Sequence, residues 1–412
     1  MKVYLVGGAV RDQLLGIDGQ DKDFVVVGAT PQEMLDKGYQ QVGKDFPVFL
    51  HPTSKEEYAL ARTERKSGKG YKGFEVFASP TVTLEEDLKR RDITINAIAQ
   101  DEAGHLVDPC NGLQDLKDKI LRHVTDAFSE DPLRVLRVAR FHARLEILGF
   151  TVAPETLKLM NELSESGELE ALVPERVWVE MQKALMEDKP SRFFLTLRDC
   201  GALKRLFPEV DALFGIPQRK DYHPEIDTGI HTMMVLEQAA KKKADAEVRF
   251  ASLVHDLGKA DTPTDVLPRH IGHEKKSLKH IKAISSRFKV PKSYEKLALL
   301  VAEHHGVMHR IFELKPSTLL SLLEKLDAFR NAERLKQFSL ACKADSLGRT
   351  GFENKDYPQE LYLLDAYNCC KSVDAKKYVE SGLKGKEIAE AVRKERISLL
   401  GNFKRTWLAN TD

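Results

Sequence analysis

The chain has 412 residues, 42% of them hydrophobic and 31% charged, with 64 Lys and Arg against 63 Asp and Glu and a net charge of +1. That length exceeds one core, so two to four packed units are expected, and the charge balance excludes a histone-like, wholly basic nucleic-acid binder while leaving room for local basic patches. Five cysteines, at 110, 200, 342, 369 and 370, form no CxxC pair, no run nears the roughly 20 apolar residues of a membrane span, and the apolar run at 1–6 is too short for a signal peptide, so a protein of the reducing cytoplasm is expected.

Lys2–Val6 reads as a strand, Gly7-Gly8 breaks it before a short helical run over 9–15, and Gly16 is placed to stop that helix. Asp21, Lys22 and Asp23 then lead into an apolar strand over 24–27. Side chains on a strand alternate faces, so Asp21 and Asp23 share one, where two carboxylates repel unless a cation sits between them. Thr30-Pro31-Gln32-Glu33 is a capping box, Thr83-Leu84-Glu85-Glu86 looks like a second, and "FPVFLH" at 46–51 and "EYALAR" at 57–62 read as strands. The stretch "TERKSGKGYKGFE" at 63–75 reads as a basic, glycine-rich loop near a polyanion. From Asp131 onward strand signals nearly vanish and helical periodicities take over, as in "PERVWVEMQKALME" at 174–187. "PQRKDYHP" at 217–224 is the best linker candidate, ahead of a His-rich block beginning near Asp227.

A carboxylate pair beside a glycine turn that opens a helix suits a phosphate-and-magnesium site: backbone N–H groups approach a triphosphate, the aspartates bridge Mg²⁺, and Arg11 is placed to neutralise a phosphate. Each piece alone is also an ordinary turn or a solvated strand edge. Further motifs shift the balance. "RRDITINAIA" at 90–99 is expected to place Arg90, Arg91 and Asp92 at a helix start, with Asp92 a possible N-cap. In "EDPLRVLRVARF" at 130–141, Asp131 precedes Pro132 as an N-cap would, and Arg134 lies one turn on. A carboxylate acceptor beside a guanidinium donor matches the Watson–Crick edges of cytosine and adenine, and guanine or uracil would leave buried groups unpaired. Arg137, Arg140 and Arg144 continue the stripe at three- and four-residue spacing, suited to triphosphate or RNA backbone.

"GGAVRD", "DKDFVVVG", "RRDITINAIA" and "DPLRVLRVARF", in this order and spacing, closely resemble the bacterial class II tRNA nucleotidyltransferases, the CCA-adding enzymes of the polymerase-β-like superfamily. The resemblance implies addition of C, C and A to the tRNA 3′ end from CTP and ATP without a nucleic-acid template, with tRNA as partner. It implies that Asp21 and Asp23 are catalytic and hold Mg²⁺, that Gly8, Arg11, Arg91, Arg137 and Arg140 contact the nucleotide, and that Asp131 and Arg134 read the base. Glu64 and Arg65 become candidate helpers in switching from C to A addition.

"DTGIHTMMVL" at 227–236 and "LVHDLGKADTP" at 253–263 place His231 on one helix and His255-Asp256 on another. Together they suit a hydrated divalent transition ion lodged where helices cross and activating water. This block resembles the HD phosphohydrolase superfamily, which implies metal-dependent phosphatase, 2′,3′-cyclic phosphodiesterase and 2′-nucleotidase activity, with Ni²⁺ or another divalent transition metal. His231, His255 and Asp256 match the pattern directly. Asp345, in "KADSLGRTG", is the candidate distal ligand, with His273 and His305 as possible additions.

The expected architecture is α+β: a nucleotidyltransferase head over 1–130, a helical neck and body over 131–222, an HD domain over 223–350 and a helical tail over 351–412, in a monomer or homodimer. The competing readings are a bacterial poly(A) polymerase, which shares the head motifs, an HD nucleotide phosphohydrolase with an RNA-binding head, and a pure RNA-binding scaffold. Loss of either aspartate would favour the second, but Asp21 and Asp23 are both present, and a scaffold does not explain why both acidic sites are complete.

Overall fold

A computed structural model of the chain describes residues 1–17, 22–42, 48–66 and 74–409. Asp21 lies outside these residues, and so do the side chains of Glu64 and Arg65. The chain forms two compact units, Met1–Leu206 and Phe207–Asp412. No helix among the described residues is long and apolar enough to cross a membrane.

The first unit opens with β1 (Lys2–Val6), α1 (Gly8–Leu15), β2 (Asp23–Val27), α2 (Pro31–Asp36), β3 (Gln40–Val42), β4 (Val48–Leu50) and β5 (Glu57–Leu60). The hairpin β6 (Arg62–Lys66) and β7 (Phe74–Ala78), helix α3 (Leu84–Lys89), a 3-10 turn at Thr94–Asn96, and β8 (Ala99–Gln100) and β9 (Leu106–Val107) follow. Seven strands pair in the order β3-β4-β5-β2-β1-β8-β9. Alternation sorts β2 between two cores: Val25 packs with Val6 and Leu88, while Val26 packs with Met34, Phe49 and Leu60 on the other face. The antiparallel register sets Val6 opposite Asp23, so the end of β1 and the start of β2 share one edge of the sheet.

Local signals form as read. Thr30 and Thr83 each accept from the N3 backbone N–H while Glu33 and Glu86 reach back to the capping backbone, and Gly16 ends α1 in the left-handed conformation. Other expectations fail. The two ends of the stretch at 63–75, read as a loop, are strands of the β6–β7 hairpin, with Thr63 opposite Phe77 and Lys66 opposite Phe74. Arg90, Arg91 and Asp92 do not start a helix: the capping box at Thr83 begins α3 early, Arg90 is its C-cap, and Ile93 is extended and bridges His123. Asp92 therefore caps no α-helix and takes the Ile93 N–H on Oδ1 at 2.9 Å.

The remainder of the unit comprises α4 (Gly112–Asp118), β10 (Ile120–Leu121), α5 (Leu133–Leu145), β11 (Thr151–Val152), α6 (Pro154–Glu165), α7 (Pro174–Met186), α8 (Pro190–Asp199) and α9 (Ala202–Leu206). β11 pairs in parallel with β10, a two-residue strand too short to show in the helical periodicity. α5 starts one residue later than read, with Asp131 Oδ1 accepting from the Leu133 N–H at 3.1 Å.

The second unit is helical: α10 (Pro208–Asp211), α11 (Thr228–Lys241), α12 (Ala246–Val254), α13 (His273–Arg287), α14 (Lys292–His309), α15 (Pro316–Lys325), α16 (Ala332–Leu347), α17 (Pro358–Lys371), α18 (Lys376–Glu380) and α19 (Lys386–Ala409). The segment at 217–224, read as a linker, is folded into this unit. Pro217 bridges Asp227, the Gln218 N–H donates to Ile226 O at 2.6 Å, and the buried Gln218 side chain accepts from Lys259 Nζ at 2.6 Å.

Candidate active sites

A cleft of about 450 Å³ in the first unit gathers the head motifs. Gly8, Arg11, Asp23, Arg91, Asp131, Arg134, Arg137 and Arg140 all line it. Gly7 makes the entry possible: it sits at φ +72°, and a Cβ there would meet Arg91 Nη1 at 2.8 Å. Half of the sixteen lining residues are arginine, against the carboxylates of Asp23, Asp92 and Asp131. Such a lining suits a polyanion carrying its own cations.

The arginines are held from behind. Arg11 is buried, with Nη1 on Asn96 Oδ1 at 2.7 Å and Nε on Asp12 Oδ1 at 2.9 Å. Arg144 reaches the other oxygen of Asp12 at 2.7 Å, and Arg140 Nε meets the buried Glu180 at 2.7 Å. The ring of Phe141 lies under Arg11, Arg137 and Arg140 at 4.7–5.6 Å. Burial alone would raise the Asp92 carboxyl, but Arg137, Asn96 and Arg134 outweigh it and hold it well below the usual range.

Arg134 donates to two backbone carbonyls, Ala127 O at 2.9 Å and Arg90 O at 2.6 Å. A guanidinium has five N–H donors, so these two bonds orient the group without exhausting it. Asp131 Oδ2 accepts from Arg176 at 3.2 Å. Arg176 was missed in sequence because it lies 45 residues from Asp131, on α7, in a stretch that reads as an amphipathic core helix.

The second constellation lies in the second unit. His255 is the C-cap of α12 and Asp256 precedes the 3-10 turn Leu257–Asp261, so the dipeptide sits where the helix changes pitch and both side chains turn the same way. Gly258 lets this turn press on α13, since a Cβ there would fall 2.3 Å from His273 O. Asp345, near the end of α16, is buried, as are His231, His255, Asp256 and His305.

The tautomers follow from the partners. A backbone carbonyl only accepts, so Nδ1 is the donor in His231 (Gly348 O, 3.0 Å), His255 (Ser252 O, 2.8 Å), His273 (His270 O, 2.7 Å) and His305 (Val301 O, 3.1 Å). Four Nε2 atoms then face inward. Those of His231 and His255 lie 3.0 and 3.6 Å from Asp345 Oδ1, and that of His255 lies 3.2 Å from Asp256 Oδ2. His273 and His305 face Asp256 Oδ1 at 3.2 and 3.5 Å, and each other at 3.5 Å. Acceptors that face acceptors need a cation between them. His255 Nε2 and Asp256 Oδ1 are buried without a hydrogen-bond partner, as ligand atoms would be. Burial disfavours charge on His255, yet Asp256 and Asp345 outweigh it and push its pKa up to about 10, so that a proton on Nε2 supplies the positive charge between the carboxylates that a metal ion would otherwise supply, while burial pushes His305 down to about 3. The nitrogen and carboxylate donors, grouped as His231–His255–Asp345 and Asp256–His273–His305, fit a divalent transition ion.

Three family models match the chain: the poly A polymerase head domain over residues 3–122, the probable RNA and SrmB-binding site of polymerase A over 149–214, and the HD domain over 228–344. The multifunctional CCA protein of Pseudomonas fluorescens SBW25 is 60% identical over 404 residues, 98% of this chain and 99% of that one. That of Thioalkalivibrio sulfidiphilus is 59% identical over 407 residues, 99% of this chain and all of that one. The chain belongs to the multifunctional CCA proteins.

It is thus a CCA-adding tRNA nucleotidyltransferase with an HD domain. Solved CCA-adding enzymes share the fold. An apo form superposes with a TM-score of 0.66 at 20% identity, covering 99% of this chain and 92% of that one. The Bacillus stearothermophilus enzyme in complex with CTP gives 0.65 at 23% identity, covering 99% and 94%. A Thermotoga maritima enzyme complexed with tRNA gives 0.63 at 20% identity, covering 100% and 92%. Two of the three family models, those of the head and of the RNA-binding segment, are named for poly A polymerase, and the relatives matched over nearly the whole chain carry the distinction between the two readings. Beside the expected HD residues stand three that sequence reading missed: His309, whose Nε2 meets Asp345 Oδ2 at 2.6 Å, Lys259, 2.6 Å from Asp256 Oδ2, and Glu225. His305 and His309 lie four apart on α14 and share a face, a signal already present in "HHGVMH".

Proposed function

We propose that the head cleft adds C, C and then A to the 3′ end of tRNA from CTP and ATP, and that the HD centre hydrolyses phosphate esters at or near such ends, as a phosphatase, 2′,3′-cyclic phosphodiesterase and 2′-nucleotidase, in the cytoplasm. The observation that carries the first part is Asp131 and Arg134 lying in one cleft with Gly8 and Asp23. Gly8 and the start of α1 offer backbone N–H groups to the triphosphate, and Arg11, Arg91, Arg137 and Arg140 balance its charge. Asp23 with Asp21 would hold Mg²⁺, which when bound polarises the reacting phosphate and stabilises the leaving pyrophosphate.

Base choice rests on order. An exocyclic amino group donates to Asp131 while the ring nitrogen beside it accepts from Arg134. Cytosine and adenine present that order; uracil and guanine present a carbonyl and a ring N–H, which face a carboxylate and a guanidinium with the wrong polarity. At the HD centre, His231, His255, Asp256 and Asp345 would hold nickel or another divalent transition ion, which when bound supplies an activated water. Lys259, paired with Asp256, adds positive charge beside the position of a substrate phosphate.

The deciding assay supplies labelled CTP, ATP, UTP and GTP, singly and combined, with Mg²⁺ and a tRNA lacking its CCA end, resolved at single-nucleotide length. Two C residues followed by one A is the expected product. A long A ladder would establish poly(A) synthesis instead, and no extension would leave the HD centre as the active one.

A further inference from the structure

His255, His273 and His305 turn Nδ1 to backbone carbonyls. His231 does so too, but its Nδ1 also lies 2.9 Å from Glu225 Oε1. The Glu225 side chain is 2% exposed. Its Oε1 takes His223 Nδ1 at 3.0 Å, and its Oε2 takes the Thr350 N–H at 3.4 Å. Glu225 precedes Ile226, which sits at φ +63°, a conformation that β-branched residues rarely adopt. Asp227 then caps α11, the helix that carries His231, through Ile230 N at 2.9 Å. The strained residue lies between the carboxylate and the cap, and the Glu225 carboxylate reaches His231 in the first turn of α11.

We propose that Glu225 is the positioning residue of the HD metal centre: its carboxylate shares with Gly348 O the Nδ1–H of His231, steadies the ring with Nε2 toward the ion, and makes that nitrogen a stronger donor. The inference rests on the reading that His231, His255, Asp256 and Asp345 hold a divalent transition ion. Gly348 O alone sets the tautomer; the added negative charge is what Glu225 contributes, and carboxylate partners of ligand histidines typically account for about 10- to 100-fold in metal affinity. His223, Glu225 and His231 do not form a separate ion site on this reading, because the nitrogen that His231 would offer there carries a proton.

The test titrates nickel(II) alone into chelator-treated full-length protein by calorimetry, for the natural chain and for Glu225→Gln, Glu225→Ala and His255→Ala, with the unfolding midpoint of each metal-free protein as the check on folding. Glu225→Gln keeps the shape and an acceptor but loses the charge, and is expected to weaken nickel binding about tenfold with an unshifted metal-free midpoint; Glu225→Ala is expected to lose toward a hundredfold. If Glu225→Ala does not fold, the isosteric Gln variant carries the test. Equal affinity in the natural chain and in Glu225→Gln overturns the proposal. Nickel binding that is absent from the natural chain, or indifferent to His255→Ala, overturns the metal reading beneath it.

Discussion

Arg137 and Asp92 are joined at the floor of the cleft by two contacts of 2.8 Å, Nε and Nη2 of the guanidinium on the one oxygen Oδ2. The bond is one link of a closed path: Asp92 accepts from Asn96, Asn96 from Arg11, and Asp12 from both Arg11 and Arg144. Arg144 and Arg137 both stand on α5, so the path runs from that helix through α1 and the turn at 92–96 and back. Breaking a partly buried ion pair leaves a charge without its partner. Asp92→Ala is expected to destabilise the first unit by about 2 kcal/mol, discounted from a fully buried pair because Arg137 is 37% exposed on its side chain. In a double-mutant cycle with Arg137→Ala the coupling should be about 1 kcal/mol or more. Trp178, buried in α7, reports urea unfolding of this unit in a Trp407→Phe background. Additive losses would show that the path is a set of independent contacts.

The two sites lie in different compact units and, among the described residues, share no side chain. Asp23→Ala, and likewise Asp21→Ala, is expected to abolish nucleotide addition and leave phosphatase activity intact, and His255→Ala to do the reverse. Paired assays on a CCA-less tRNA and on a generic phosphate monoester measure both. If one substitution removed both activities, the division of labour would be wrong.

Arg176 fixes the direction of the Asp131 carboxylate, whose other oxygen is tied to the Leu133 N–H. Asp131→Ala removes the acceptor, and Arg176→Ala leaves it in place with one less restraint. Relaxed rejection of UTP and GTP is expected for both, by about tenfold or more for Asp131→Ala and less for Arg176→Ala, since a mismatched edge leaves buried groups unpaired at roughly 1–3 kcal/mol. Ratios of kcat/KM for CTP against UTP give the answer, and a uniform fall in rate at unchanged selectivity would sink the base-reading role.

Much of the fold and of the candidate sites is legible in the sequence. Strand and helix at 2–27 follow from glycine placement and alternation, and both capping boxes are local chemistry that tertiary context left alone. What eluded the sequence has a common cause. Arg176 and Glu180 act on residues forty or more positions away, across a helix packing that periodicity cannot reveal. Glu225 directly follows "PQRKDYHP", the stretch at 217–224 read as a linker, and carries no local signal of its own, whereas Gln218 and Ile226 close the segment into a loop against the HD helices. The motif at 90–92 misled for a different reason: a turn between two helical segments carries the same residues as a helix start, and only the bridge between Ile93 and His123 decides between them.

His142 ties stability to pH. It is 9% exposed, with Nδ1 2.8 Å from Thr196 Oγ1, and the groups that face it are Arg192 and Glu146, themselves paired, and the backbone of Phe150. Burial, followed by Arg192, lowers its pKa from 6.5 to about 4. The folded value lies below the unfolded one, so the unfolded chain binds the proton more readily. The contribution is then complete above about pH 6.5 and is lost as pH falls from there to about 4. Over that window the first unit should lose about 2 kcal/mol from this residue. His142→Asn keeps a side chain able to meet Thr196 and does not titrate. The expected result, read from Trp178 fluorescence in urea, is that the gap in stability between the natural chain and the variant narrows by that amount from pH 7.5 to pH 4.5. A gap of constant size would place the proton elsewhere in the unit.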